Sequence, residues 1–187
     1  MFSVRRASAT QLAHLDTASC DAVLLLGPLY HLCDPAERVQ AVGEAARALK
    51  PRGVLCAAAL NRLAYLRDVF RQSPGQGAAH RAFHTQFLRD GNLDPQHAPP
   101  IAYAHLSASA EFRLLFTDAF DQALYVGVES FTSVWGDTLN DLSAQDAEAW
   151  LDLVEQTGAP PDGLGIVRPL PVYWAQAGFT GLTSTHR

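Results

Sequence analysis

The sequence predicts an α/β fold, and two observations carry this prediction. Two short apolar runs, 21–26 and 54–59, have the length of buried strands. The segment between them has the capping residues and the apolar spacing of a helix. A strand, a helix and a second strand in this order form a βαβ unit, in which the strands are parallel and the crossover is right-handed.

The first run, Asp21 to Leu26, stops at Gly27-Pro28 and is followed directly by Tyr30 and His31. A continuous apolar run bounded by turn residues is typical of a strand buried on both faces, although periodicity alone does not exclude a helix segment. Open α/β sheets bind ligands in loops at the carboxyl ends of their strands. The sequence therefore places the candidate site directly after this run.

The helix after this loop has a well-marked start. Asp34 is the predicted N-cap, Pro35 the first helical residue, and Glu37 the third residue of a capping box. The predicted buried face consists of the apolar residues at helical spacing, Val39, Val42, Ala46 and Leu49. A residue before proline avoids the α region, so the helix is expected to end near Lys50, and residues 51–53 to form a turn.

The remaining elements are predicted in chain order by the same signals. We expect a helix over 60–71, a break at 73–77, a helix capped by Ser107 or Ser109 and a strand over 121–131. A helix starting at Ser143 and a last strand over 172–177 follow. Residues 2–6 are expected to form a short strand. Residues 60–106 are predicted to cover the carboxyl ends of the strands; the alternative is a flexible surface insertion. All 187 residues are assigned to one domain.

Composition excludes several classes of function. A hydrophobic fraction of 48% and a charged fraction of 18% indicate a globular protein rather than a disordered one. The net charge of −5, without a basic stripe, argues against binding to nucleic acid. The three cysteines lack C-x-x-C spacing and predict neither a disulfide framework nor a zinc site.

The location of the protein is predicted from two further features of the sequence. No apolar stretch approaches the roughly 20 residues that a membrane helix needs. Residues 1–11 lack the apolar core of a signal peptide. We therefore expect a cytoplasmic protein with no membrane partner.

The residues quoted above resemble one family. The run from Asp21 to Leu32 is similar to motif IV of class I S-adenosylmethionine-dependent methyltransferases, and Ala48 to Leu55 is similar to that family's entry to strand five. The family has a Rossmann-like sheet of order 3-2-1-4-5-7-6, with strand seven antiparallel and helices on both faces. The resemblance implies an incomplete sheet of order 4-5-7-6, with strands at Asp21, Val54, Val172 and Ala123.

Two cofactor-binding features of the family have no counterpart in the sequence. The family holds its cofactor with a glycine-rich loop after strand one and an acidic residue at the end of strand two. Gly75-Gln-Gly77 follows a helix-like segment and Gly163-Leu-Gly165 opens no helix, so neither matches that loop. The chain is therefore expected to be the carboxyl-terminal two-thirds of such a domain, truncated at its amino terminus.

The resemblance also implies site residues. Tyr30 and His31 are the expected catalytic pair, because a histidine there can act as a general base toward a hydroxyl or an amine. The alternative is that both residues cap the strand and pack on the crossover helix. Cofactor contacts are expected from Ser8, Ala9, Leu26 and Gly27. Ser8 stands where the family usually has an aspartate, and Gly27 is expected to act through its backbone.

Arg62 and Tyr65 follow the second strand on the side expected to meet substrate. Arg62 is expected to hold an anionic acceptor; the alternative is an ordinary surface charge. His80 and His84 have the spacing of one helix face, but no third ligand with metal spacing is evident. No metal site is therefore expected.

The expected function is methyl transfer from S-adenosylmethionine to a small-molecule acceptor. Methyl transfer is largely alignment of the acceptor with the sulfonium methyl group, so the lack of an acid–base constellation does not weigh against it. Whether this chain binds the cofactor and is active stays open, and the alternative is a non-catalytic remnant that acts as a binding or interaction module. Without strand one, the run 21–26 is an unpaired edge, so we expect a homodimer through it or pairing with residues 2–6.

Overall fold

A computed structural model describes residues 3–97, 103–125, 140–158 and 172–176. The strands are β1 (Cys20–Leu25), β2 (Leu49–Ala58), β3 (Asn92–Leu93), β4 (Ala104–His105), β5 (Gln122–Tyr125) and β6 (Val172–Gln176). The helices are α1 (Pro35–Ala48), α2 (Arg62–Gln72), α3 (Gln76–Ala79), α4 (Arg81–Asp90), α5 (Ser109–Leu114) and α6 (Ala144–Gly158). A 3₁₀ turn, Pro28–Tyr30, lies between β1 and α1.

Four strands form one sheet in the order β1-β2-β6-β5, and β3 pairs with β4 in a second, two-stranded sheet. β1 and β2 are parallel and are joined by α1, which confirms the predicted βαβ unit. β6 is antiparallel to both of its neighbours, β2 and β5. The predicted α/β class is thus confirmed.

The main core lies on one face of β1 and β2. Val23 pairs with Leu55 and Leu25 pairs with Ala57, which places these four side chains on the same face. Helices α1 and α5 and the turn after α5 cover this face with Ala41, Val42, Ala45, Phe112, Phe116 and Phe120. Burial of each large apolar side chain contributes roughly 1.5–3 kcal/mol, so this layer is the main source of stability in the sheet.

The other face of β1 is exposed, so the prediction of a strand buried on both faces is wrong. Leu24 is 68% exposed, whereas Leu25 is 5% exposed. In the described part of the chain, β1 pairs only with β2, so its second edge carries unpaired backbone groups. The prediction failed because an apolar run shows only that both faces of a strand can be buried. It does not show that another element covers each face.

Helix α1 starts as predicted, but its buried face differs from the prediction. The Asp34 carboxylate accepts a hydrogen bond from the Ala36 N–H at 2.8 Å, and Pro35 is the first helical residue. Val39, which was predicted to be buried, is 59% exposed, while Arg38 is 3% exposed. Arg38 can be buried because its guanidinium finds acceptors inside the protein, as described below.

The predicted turn at 51–53 lies inside β2 rather than before it. Leu49 already pairs with Cys20, and the register shifts before Ala22 pairs with Val54. At this irregularity Arg52 has a φ of 68°, and a Cβ on Gly53 would lie 2.9 Å from the Lys50 carbonyl oxygen. The turn residues therefore form a bulge that lets one strand continue through them.

Residues 60–106, called the cover segment here, contain α2, α3, α4, β3 and β4. Asn61 caps α2 by accepting a hydrogen bond from the Leu63 N–H at 2.8 Å. The segment has its own group of buried side chains: Phe87, Leu93, Ala104 and Leu106. Tyr65 and Phe83 pack against this group. The described cover residues thus have an apolar core separate from that of the sheet.

Other predicted elements differ from the structure in detail. Residues 3–7 form no strand, so the predicted amino-terminal strand is wrong for the described residues. Ser109 is the first helical residue of α5 rather than its cap. Ser143 does cap α6, because its hydroxyl accepts a hydrogen bond from the Asp146 N–H at 3.1 Å. The continuation of β5 through 126–131 lies outside the described residues.

No described helix is long and apolar enough to cross a bilayer. The three cysteines, Cys20, Cys33 and Cys56, are all free thiols.

Gly91, which follows α4, provides a test of the cover segment. Its φ is 74°, and a Cβ there would collide with the Leu106 carbonyl oxygen and lie 2.7 Å from Arg62 Nη2. Gly91→Ala is expected to lower the free energy of unfolding by more than about 1 kcal/mol. Gly43→Ala in α1 is the control: its Cβ meets no atom within 4 Å, and it is expected to add roughly 0.5–1 kcal/mol. Urea unfolding followed by circular dichroism measures both, and equal effects would contradict this role of Gly91.

Candidate functional site

The loop after β1 carries the two residues predicted to be catalytic. Leu29, in the 3₁₀ turn, is 1% exposed and belongs to the main core. The His31 N–H donates a hydrogen bond to the Pro28 carbonyl oxygen at 2.9 Å. One buried leucine and one turn hydrogen bond thus fix the loop, which leaves Tyr30 half-buried and His31 exposed.

Tyr30, His31 and Gly27 lie close together in this loop. The ring centroids of Tyr30 and His31 are 4.8 Å apart, with the planes inclined by 56°. The Tyr30 hydroxyl lies near the Gly27 backbone, since a Cβ on Gly27 would be 3.7 Å from it. An exposed imidazole beside a phenol can accept a proton from a hydroxyl or an amine, while the phenol donates or accepts a hydrogen bond.

Arg38, which the sequence analysis missed, lies behind this loop. Its Nη1 donates hydrogen bonds to the Leu32 carbonyl oxygen at 2.7 Å and to the Cys33 carbonyl oxygen at 3.0 Å. Its Nη2 donates to Glu111 Oε1 at 3.1 Å. Burial lowers the pKa of Arg38, and the negative charge of Glu111 partly offsets this effect. Arg38 therefore fixes the end of the loop through its main-chain carbonyls.

Glu111, the second residue that was missed, receives donors from several elements. Its Oε2 accepts a hydrogen bond from Arg62 Nη2 at 2.6 Å. Its Oε1 lies 2.8 Å from His105 Nε2 without the alignment of a hydrogen bond, and this contact is an ion pair only when the imidazole is protonated. His105 is 1% exposed, and its Nδ1 lies 2.9 Å from Asn92 Oδ1. One carboxylate thus connects α1, α2, β4 and α5.

The protonation of Glu111 depends on opposing effects. Burial raises its pKa, but contact with His105 and the charges of His105 and Arg62 lower it by more, so the net pKa is below the ordinary value. The carboxylate is therefore ionised at neutral pH, as the two guanidinium groups beside it require.

Arg62, the predicted substrate-binding arginine, is bound within the protein. Besides Glu111, it donates to the carbonyl oxygens of Leu106 at 3.1 Å, Leu88 at 3.0 Å and Arg89 at 3.3 Å. Its side chain is 11% exposed. These contacts favour a structural role, while its binding of an anionic acceptor stays a prediction.

Tyr65 lies in an aromatic group of the cover segment. Its ring centroid is 4.9 Å from that of Phe87 and 6.3 Å from that of His84. Burial, and secondarily the charge of Asp94, raise the pKa of Tyr65. Its role in binding substrate is untested.

The same group contains His80, His84 and His97. His97 stacks on Phe83 with centroids 4.0 Å apart, and its Nδ1 lies 2.9 Å from Asp94 Oδ1. Burial lowers the pKa of His84, and the neighbouring His80 and His97 lower it further. Within the described ranges, no group of three or more potential ligands is arranged to hold a metal ion.

Ser8 and Ala9, the predicted contacts to the adenine, lie in the segment before β1. The exposed Ser8 hydroxyl is 2.8 Å from the Thr10 hydroxyl, and Ala9 packs against the main core. Farther along, Arg47 of α1 donates to the Leu12 carbonyl oxygen at 3.0 Å. The structure thus holds this segment on α1, and the cofactor contacts of Ser8 and Ala9 stay predictions.

Residues 2–57 match the model of the methyltransferase domain family. The match covers less than half of the chain, and it includes the segment before β1, the candidate loop and α1. It confirms the resemblance to methyltransferases in this part of the sequence. No curated protein matches the chain.

The solved structures that are similar to the chain include two methyltransferases. One is an S-adenosylmethionine-dependent methyltransferase from Thermotoga maritima, described as a possible histamine N-methyltransferase, with a TM-score of 0.52 and 17% identity over 92% of this chain and 62% of that protein. The other, an S-adenosylmethionine-dependent methyltransferase from Methanosarcina mazei, has a TM-score of 0.49 and 17% identity over 91% and 65%. The likeness to the Thermotoga protein shows the fold alone, and the chain spans less than two thirds of both proteins.

The lowered pKa of Glu111 predicts how stability depends on pH. Its contribution is present above the unfolded value, near 4.5, and is lost as the pH falls through the lower folded pKa. Glu111→Gln is therefore expected to reduce the free energy of unfolding most at pH 7, on the order of 2 kcal/mol, and progressively less toward pH 3. Urea unfolding at several pH values measures this difference.

The control is Glu148→Gln, which changes an exposed glutamate of α6. It is expected to change the unfolding free energy by less than about 0.5 kcal/mol at each pH. A difference between the wild type and Glu111→Gln that stays constant from pH 7 to pH 3 would exclude the proposed ionisation.

Proposed function

We propose that the chain is an S-adenosylmethionine-dependent methyltransferase-like domain that acts on a small-molecule methyl acceptor. The match of residues 2–57 to the methyltransferase domain carries this proposal. The residues assigned to the cofactor and to the reacting atoms all lie within the matched segment: Ser8, Ala9, Leu26, Gly27, Tyr30 and His31.

In this proposal β1, β2, β6 and β5 correspond to the family's strands four, five, seven and six. The order β1-β2-β6-β5 and the antiparallel direction of β6 support the assignment. The cover segment then lies at the carboxyl ends of the strands, and the contact between β4 and the 3₁₀ turn supports this position. The acceptor is expected to bind between the cover segment and the loop.

The residues of the loop fit one side of the cofactor. Gly27 presents backbone without a side chain, and Leu26, 44% exposed, presents an apolar surface. The exposed Ser8 hydroxyl can accept a hydrogen bond from an adenine amino group. Because neither Gly75-Gln-Gly77 nor Gly163-Leu-Gly165 has the sequence context of the family's glycine-rich loop, we expect weak binding of the cofactor.

When bound, the cofactor supplies an electrophilic methyl group. The task of the chain is then to align the acceptor. We propose that His31 removes a proton from the acceptor hydroxyl or amine. Tyr30 orients the acceptor through a hydrogen bond. Tyr65 is assigned a contact to the acceptor from the cover side. Arg62 is assigned a secondary role there, because its donors already bind Glu111 and three carbonyl oxygens.

A second candidate function, a non-catalytic interaction module, is favoured by the exposed surface of β1. Leu24 and Leu26 are 68% and 44% exposed, and the strand has an unpaired edge within the described residues. A second copy of the chain pairing along this edge is the partner we propose for it.

A cytoplasmic location is proposed because all three thiols are free.

Calorimetric titration with S-adenosylmethionine tests the first function. We expect measurable binding, and Gly27→Val is expected to weaken it about tenfold because the side chain occupies the space beside the Tyr30 hydroxyl. The φ of Gly27, −133°, is not in the left-handed region that favours glycine. Gly43→Ala is the control and should leave the affinity unchanged. Binding in the micromolar range would exclude a remnant that has lost its cofactor site, and no heat at millimolar ligand would exclude catalysis by this chain alone.

Light scattering coupled to size-exclusion chromatography tests the pairing through β1. We expect a mass of twice 20.2 kDa at high concentration, and expect Leu24→Lys to shift it to the monomer, because a charge would then face the pairing surface. Leu124→Lys is the control, since Leu124 is 51% exposed on β5, the strand at the opposite edge of the sheet in the described part of the chain. A monomeric wild type, or equal effects of both substitutions, would rule out this interface.

A further inference from the structure

We infer that Glu111 is a positioning residue, which couples the cover segment to the loop that carries Tyr30 and His31. This inference rests on the proposed function, because that function gives the loop its role. The contacts that carry the coupling are those of Glu111 with Arg38 on one side and with Arg62 and His105 on the other.

On the loop side, Arg38 connects the Glu111 carboxylate to the backbone of the loop. Its Nη1 binds the carbonyl oxygens of Leu32 and Cys33, the two residues that follow His31, at 2.7 and 3.0 Å. Its Nη2 binds Glu111 at 3.1 Å. Since Arg38 is 3% exposed, water cannot readily replace these acceptors. A change in the carboxylate therefore changes how the carbonyls after His31 are held.

On the cover side, Arg62 connects the same carboxylate to α4 and β4. Its Nη1 binds the Leu88 carbonyl oxygen at the end of α4, and its Nε binds the Leu106 carbonyl oxygen just after β4. Its Nη2 binds Glu111 Oε2 at 2.6 Å. A ligand that moves α4 or β4 therefore acts on the carboxylate through a single guanidinium.

The two oxygens of the Glu111 carboxylate contact different groups, and this makes the loop side and the cover side interdependent. Arg38 and His105 contact Oε1, whereas Arg62 contacts Oε2. Both oxygens belong to one rigid planar group, so a rotation that follows Arg62 also alters the contact with Arg38. Two independent ion pairs would not behave in this way. Because β4 also contacts the 3₁₀ turn, the displaced groups lie next to the proposed acceptor site.

The test measures amide hydrogen exchange in variants that keep the charge and alter the donor geometry. In Arg62→Lys, amide exchange of residues 31–34 is expected to rise about tenfold, although the contacts of Arg62 described above do not include these residues. In Arg38→Lys, exchange of residues 88–91 and 104–107 is expected to rise likewise. Arg89→Lys, an exposed arginine of α4, is the control and should leave residues 31–34 unchanged. Exchange that rises only around the substituted residue would overturn the coupling.

If either variant unfolds, the same exchange is measured in Glu111→Asp, which keeps the charge and shortens the side chain by one methylene. Both regions are then expected to exchange faster, and a response of one region alone would overturn the inference.

A ligand readout separates the coupling from a simple contribution to stability. Arg62→Lys is expected to weaken binding of S-adenosylmethionine about threefold, whereas Arg89→Lys should not change it. If the wild type binds no S-adenosylmethionine, the proposed function fails while the exchange result still decides the coupling. The opposite outcome has two parts: Arg62→Lys binds S-adenosylmethionine as well as the wild type does, and its amide exchange at residues 31–34 is unchanged. The coupling then fails and the proposed function stands.

Discussion

The carboxylate of Glu111, shared by the guanidinium groups of Arg38 and Arg62, joins the two apolar cores of the described chain. Arg38 belongs to α1, which packs on the sheet, and Arg62 belongs to α2, which starts the cover segment. The two cores are separate groups of buried side chains. Apolar packing is not directional, whereas hydrogen bonds between charged groups fix both distance and angle. The relative position of the loop and the cover therefore depends on this polar junction.

Such a junction is costly to build, so it stabilises the fold little more than apolar residues would, although removing one of its partners alone is destabilising. Removing charges from water costs several kcal/mol per ion, and apolar residues of similar volume often serve stability as well. What apolar residues cannot do is hold main-chain carbonyl oxygens, as Arg38 holds those of Leu32 and Cys33. The polar residues are thus best explained by the geometry of the loop they fix. The catalytic role proposed for the loop requires its groups to be held within fractions of an ångström, which directional bonds provide.

The local part of the fold could be predicted from the sequence because its signals are local. The cap at Asp34 and the apolar runs on either side of α1 led to the βαβ unit and to the candidate loop. Arg38 has helical spacing to Ala41, Val42 and Ala45, so it lies on the apolar face of α1. The predicted buried face included Val39 instead and therefore missed this signal. The partner of Arg38 is 73 residues away in sequence, and nothing in the sequence near Glu111 indicates that contact. Neither could the apolar run of β1 show that Leu24 is exposed.

The two ends of β1 are held very differently, and this bears on whether pairing along the strand can coexist with the proposed methyl transfer. At its start, Asp21 pairs with Lys50 at 2.8 Å, but both side chains are exposed, so this ion pair contributes little. At its end, the buried Leu29 and the carbonyls bound by Arg38 hold the loop from the side of α1. Pairing along the free edge of β1 would use backbone groups that none of these contacts involves. A partner on that edge therefore need not disturb Tyr30 and His31, and interaction through β1 is compatible with the methyl transfer proposed at its carboxyl end.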